Sequence, residues 1–237
     1  MNAAAQGLGS GVGRLARLLQ FADSTLPVGT FAFSQGLESA VQLEIVTDAD
    51  SLEAYLALVL RQAAHMDGVA LLHARRATVE GDYERVVTAD RALWVRRVGE
   101  EQQLMVARMG RKFAELAAAI APSPLLERWV GDIHAGHTPG CFPVAQAIAL
   151  GGLGAHELEA FTVHQYGLSS MILNAALRLM RIDHVTTQKL LFGAQASTSD
   201  HYRAIQNLSL EEMSSFAPVF DVIVAHHTRT HLRLFMN

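Results

Sequence analysis

Histidine carries most of the chemistry open to this chain. There are 11 histidines and a single cysteine among 237 residues. His227 and His231 stand four apart, a spacing that puts two imidazoles on one helical face as metal ligands often are. The metalloprotease form of that pattern needs Glu directly after the first His, and Thr228 stands there. His134 and His137 make a second pair, in a glycine-bearing stretch with no carboxylate between them. Spacing alone is weak evidence among so many histidines, so both pairs also read as surface or capping residues. His227 and His231 are kept as candidate ligands for nickel or zinc.

The other reactive groups read as structure. Cys141 cannot pair with a second cysteine, and His137 four residues before it does not make a catalytic pair with it, so a small buried hydrophobe fits better than a nucleophile. Glu100-Glu101 and Glu211-Glu212 fit helix starts, where acids complement the dipole. Neighbours on a helix point about 100° apart, so neither pair converges on one substrate. Arg75-Arg76 and Arg96-Arg97 read as solvated helix faces, with an acidic protein partner as the next alternative. There is no Gly-x4-Gly-Lys-Ser/Thr phosphate loop and no Gly-x-Ser-x-Gly elbow. A binding or scaffolding role is favoured over catalysis.

The elements that must position these groups are helices. Half the residues are hydrophobic but only 7% aromatic, so the apolar content is mostly Ala, Leu and Val. Helical periodicity is clearest at Leu52, Tyr55, Leu56, Val59, Leu60 and Ala63, behind an expected Asp50/Glu53 capping box. It recurs over Tyr83 to Val98, Glu100 to Ala121, Leu125 to Ile133, Phe142 to Leu150, Ala155 to Arg181 and Val185 to Leu208. Pro122-Ser123-Pro124 and Gly151-Gly152 punctuate the pattern. No strand run stands out. The expectation is an all-α, single-domain bundle of roughly nine to ten helices.

A net charge of −4 argues against a nucleic-acid partner. No apolar run is long enough to span a bilayer, so no membrane association is expected, and the single cysteine fits a reducing cytoplasm. Residues 1–13, rich in Ala and Gly, lack the pattern of a signal peptide and are expected as a flexible tail. The helical domain would then cover 14–228, ending in a tail over 229–237.

The stretch Leu19 to Glu38 has a different character. Leu15, Leu18, Leu19 and Ala22 make one helical face, then Pro27 and Gly29 interrupt it, Phe31 and Phe33 follow, and Ser34 is placed to cap a helix containing Glu38. Leu19-x-x-Ala22-Asp23-Ser24-x-Leu26-Pro27-Val28-Gly29-x-Phe31-x-x-Ser34-x-Gly36-Leu37-Glu38 closely resembles the N-terminal signature of the UreF family of urease accessory proteins. The close of the chain, His227 followed by Arg233-Leu234-Phe235-Met236-Asn237, is similar to that family's end. Glu101 with Arg108-Met109-Gly110-Arg111-x-Phe113, and Gln188-Lys189-Leu190-Leu191, resemble family segments between. The chain departs from the family at Gln102-Gln103, where Leu-Arg is usual, and at His231, which is often Tyr.

The resemblance implies an all-helical homodimer that is not an enzyme. It implies work with a UreD/UreH-type partner and the GTPase UreG, delivering nickel to apo-urease and helping its metallocentre mature. Regulation of GTP hydrolysis by UreG is a further implied role. Nickel would be handled by the complex, with no cofactor expected on this chain. Pro27, Gly29, Phe31, Phe33, Ser34 and Glu38, with Arg233, Leu234 and Phe235 in the tail, are the expected partner-binding residues. Two alternatives stand beside this: a direct nickel metallochaperone using His227 and His231, and a helical enzyme with a small-molecule pocket.

Overall fold

The computed structural model describes residues 3–23, 25–28, 33–215 and 235. The helices are α1 (Ala3–Ala22), α2 (Leu37–Gln42), α3 (Ala49–Ala63), α4 (Val69–Glu80), α5 (Tyr83–Trp94), α6 (Glu100–Ile120), α7 (Pro124–His134), α8 (Phe142–Gly152), α9 (Glu157–Leu179), α10 (His184–Ala194) and α11 (Thr198–Ile205). A π turn, Ala64–Gly68, joins α3 to α4, and a 3-10 turn, Gln195–Ser197, joins α10 to α11. With those joins counted as continuous, the described residues form nine helical rods and no strand. The all-α expectation is met.

Helix α8 is the centre. Every residue from Pro143 to Gly151 is buried, because its sequence is apolar on all sides and must be enclosed. Helices α4 and α6 pack on it, with α5 and α7 outside them. The loop entering α8 is fixed by Asp90 of α5. Its carboxylate accepts from the Thr138 hydroxyl at 2.6 Å, the Gly140 amide at 2.8 Å and the Cys141 amide at 2.7 Å. Gly110 lets α6 come close there: a Cβ on it would lie 2.0 Å from the Gly140 carbonyl oxygen.

Helix α9 spans both halves of the core. Its Ala160, Phe161 and Val163 join a cluster built on α4 to α8. Leu168, Met171, Ile172 and Leu173 join a second, built with α2, α3 and the Met105/Met109 face of α6. Leu37, Leu52, Leu56 and Leu60 are almost wholly enclosed there, each stabilising the fold by roughly 1.5–3 kcal/mol.

Helix α1 begins at Ala3, within residues 1–13. Two local expectations need correction. The capping box of α3 is Asp48 with Ser51, not Asp50 with Glu53. Asp48 is extended and accepts from the Ser51 amide at 2.9 Å, while the Ser51 hydroxyl accepts from the Asp48 amide at 3.0 Å. Glu211-Glu212, expected at a helix start, lie in a turn, with the Ser209 amide donating to Glu212 at 2.8 Å; residues 216–234 lie outside the described residues. Among the described residues, no helix is long and apolar enough to cross a membrane.

Candidate partner-docking site

The segment between α1 and α2 is shaped from both sides. Asp23 turns the chain by accepting from the Thr25 amide at 2.8 Å, and Pro27 is exposed while Val28 is buried. On the α2 side, Gln35 and Gly36 both take left-handed backbone conformations, which cost little at glycine but more at glutamine. Tyr55 of α3 holds that turn by donating its hydroxyl to the Gln35 carbonyl at 2.6 Å. Burial pushes the Tyr55 phenol well above its ordinary range, so it stays a donor. The Ser34 hydroxyl accepts from the Glu38 amide at 3.3 Å, serving the start of α2 from just outside the helix.

Glu38 and Phe235 meet. The Glu38 carboxylate accepts the Phe235 backbone N–H at 3.2 Å, inside the core. The Phe235 ring is buried, and the Arg178 guanidinium near the end of α9 lies 4.0 Å from its centroid. A stacked cation of this kind adds roughly 0.5–1 kcal/mol at an exposed site. The N-terminal signature, the end of α9 and Phe235 form one clasp.

This changes the reading of the expected docking residues. Phe33, Ser34, Glu38 and Phe235 are each at most 4% exposed. Their side chains face this chain's own core, so they shape a surface from beneath. The cause is the second apolar cluster, which takes up Phe33 and Phe235 together. Pro27 is the expected residue found exposed. Gly29, Phe31, Arg233, Leu234, His227 and His231 lie outside the described residues. Tyr55 and Arg178 complete the clasp and were not singled out from sequence; Tyr55 had read only as part of an apolar stripe.

The remaining candidates resolve as structure. His134 binds Glu115 at 2.7 Å and His137 binds Asp132 at 3.2 Å, so the two rings serve different carboxylates. Among the described residues, no group of three or more His, Cys, Asp or Glu side chains is placed to hold a metal. Cys141 is buried, and burial beside Asp90 pushes its thiol well above the usual range. The arginine doublets are not simple solvated faces. Arg76 makes a two-pronged contact with Glu157 at 2.9 and 2.7 Å, Arg75 donates to the Ala155 carbonyl, and Arg97 pairs with Asp67 in the interior. An arginine with a fixed carboxylate partner loses much of its reason to face water.

Helix α1 turns a second apolar face outward. Val12, Leu15 and Leu19 are 69%, 56% and 62% exposed, whereas Leu18 and Phe21 face the core. With Leu158, Thr162 and Tyr166 of α9, Leu15 and Leu19 border an open groove of about 880 Å³. Arg14 pins the two helices together through Glu159 at 3.0 Å and the Gly154 carbonyl at 2.9 Å.

A family model described as UreF matches residues 46–195. That match lies between the two end motifs. The urease accessory protein UreF 2 of Brucella canis is 43% identical over 223 residues, covering 94% of this chain and 92% of its own length. The urease accessory protein UreF of Yersinia enterocolitica is 40% identical over 223 residues, covering 94% and 98%.

Proposed function

We propose that this chain, which belongs to the UreF family of urease accessory proteins, is a non-catalytic scaffold of urease maturation. In this reading it holds a UreD/UreH-type protein and the GTPase UreG together while nickel is delivered to apo-urease. The clasp between Glu38 and Phe235 carries the reading. It binds the N-terminal signature to Phe235 of the C-terminal motif, which in this reading would bring the two motifs to one surface. The buried side chains set the shape, and Pro27 and the backbone around it would meet the partner.

The scaffold works as a homodimer in this reading. The outer stripe of α1 supports it, since an exposed apolar seam beside an apolar groove suits a second copy of the same helix. Co-expression with the urease genes tests the whole proposal. Glu38→Ala should fold, capture less of the UreD/UreH-type partner, and lower the nickel content of purified urease. Wild-type capture and nickel content in a folded Glu38→Ala protein would remove the clasp from the function.

A further inference from the structure

Beside the π turn lies a small, partly open cavity, bordered by Asp67, Arg97 and His164 on its polar side and by Met105, Met109 and Met171 on its apolar side. Four elements bring these groups together: the π turn gives Asp67, the α5–α6 connection gives Arg97, α6 gives two methionines, and α9 gives His164 and Met171. Gly68, next to Asp67, makes the approach possible: a Cβ there would lie 2.7 Å from the Phe161 ring of α9. π turns inside α-helices often mark sites with a role beyond the ladder.

The hydrogen bonds of this cluster do not close among protein groups. One Asp67 oxygen takes the Arg97 guanidinium. The other stands 3.8 Å from His164 Nε2, too far for a direct hydrogen bond. His164 Nδ1 is 2.8 Å from the Gln146 amide oxygen. An amide oxygen can only accept, so Nδ1 carries a proton, and in the tautomer with that proton alone Nε2 is a bare acceptor. Both His164 Nε2 and Arg97 Nε are buried without a protein partner. Leaving such groups unpaired costs about 1–3 kcal/mol each.

We infer that this cavity is a binding site for a single structural water. One water supplies what the three groups lack. Its oxygen accepts from Arg97 Nε–H, and its two protons go to His164 Nε2 and the second Asp67 oxygen. Three hydrogen bonds are typical of a buried water. The cavity measures about 30 Å³, against the ~10–15 Å³ one water needs by the same measure. Charge selects water over an ion. Asp67 and Arg97 already cancel, so a cation or an anion would leave a net buried charge. The bound water links the π turn and α9 to the α5–α6 connection, which Gln103 also grips through the Trp94 and Arg97 carbonyls.

A high-resolution crystal structure should place one ordered water within hydrogen-bond distance of all three groups. Long-range nitrogen–proton spectra of labelled protein at neutral pH should show His164 protonated at Nδ1, with Nε2 at the downfield shift of a bare ring nitrogen. A dry cavity overturns the inference. So does an Nε2–H tautomer, because that proton would serve Asp67 directly. In folded His164→Leu the ordered water should be lost, and a water kept in the same place there would also overturn the assignment.

Discussion

The Glu38 carboxylate accepts the backbone N–H of Phe235 across 197 positions of sequence. It is a side chain near the start of the domain holding main chain near its end. The donor is a backbone group, so the contact fixes where the strip lies without depending on which side chain stands at 235. The Phe235 ring and Arg178 add identity to position.

Glu38→Gln keeps an acceptor oxygen and should be mild, whereas Glu38→Ala strips a buried amide of its partner. The hydrogen bond to a charged group is worth about 1.5–3 kcal/mol, so Glu38→Ala should lower unfolding free energy by about 2 kcal/mol and Glu38→Gln by less than half of that. Urea unfolding of the two variants measures it. Equal losses would mean that Glu38 acts through its bulk and not through the bond.

Helix α6 supplies a test of packing alone. A methyl group on Gly110 cannot share space with the Gly140 carbonyl oxygen 2.0 Å away and the Phe142 amide nitrogen 2.6 Å away. These are backbone atoms at the entrance to α8, so no rotamer change relieves them. Gly110→Ala should cost about 3 kcal/mol despite the better helix propensity of alanine. Thermal or urea unfolding checks it, and a stabilised variant would show that α6 lies further from α8.

Much of this fold was legible because long periodic stripes face a core whatever the topology. The Leu52 to Ala63 stripe of α3 and the inner face of α9 are of that kind. Asp48 was missed as a cap because Asp50 and Glu53 offer the same chemistry two residues later. The Arg75, Arg76 and Arg97 partners were illegible for another reason. Glu157 and Asp67 are 81 and 30 residues away, and no periodic pattern relates a surface arginine to a distant carboxylate. The docking motifs were readable as a family resemblance, but their burial depends on Phe33 and Phe235 sharing one cluster, which only tertiary structure reveals.

Asp67 should make stability depend on acid pH. Burial pushes its carboxyl up, but the Arg97 guanidinium paired with it outweighs that and holds it below the ordinary carboxylate value. A group depressed on folding contributes stability that is full above its unfolded value, near pH ~4, and lost as pH falls through the folded value. Asp67→Asn should cost about 3 kcal/mol at neutral pH by leaving Arg97 buried and unpaired. The gap between wild type and variant should narrow below about pH 4. Adding Arg97→Gln should recover part of the loss, read as a coupling in a double-mutant cycle. A gap that stays constant with pH would dissociate the pair from acid stability.

Helix α1 separates association from folding. Leu15 and Leu19 lie on the exposed face and contribute to the groove bordered by α9, whereas Leu18 and Phe21 hold the helix to the core. Replacing both exposed leucines with Glu introduces charge into the seam without opening the core. Surface changes of this kind usually stay within about 0.5 kcal/mol of wild-type stability. A dimer built on that seam would place like charges opposite each other around its two-fold axis. Light scattering after size exclusion should therefore give a dimer for wild type and a monomer for Leu15→Glu/Leu19→Glu, with unchanged unfolding curves at equal low concentration. As a control, Leu18→Glu should unfold the protein by burying an unpaired charge. A double variant that remains dimeric would move the interface to another face.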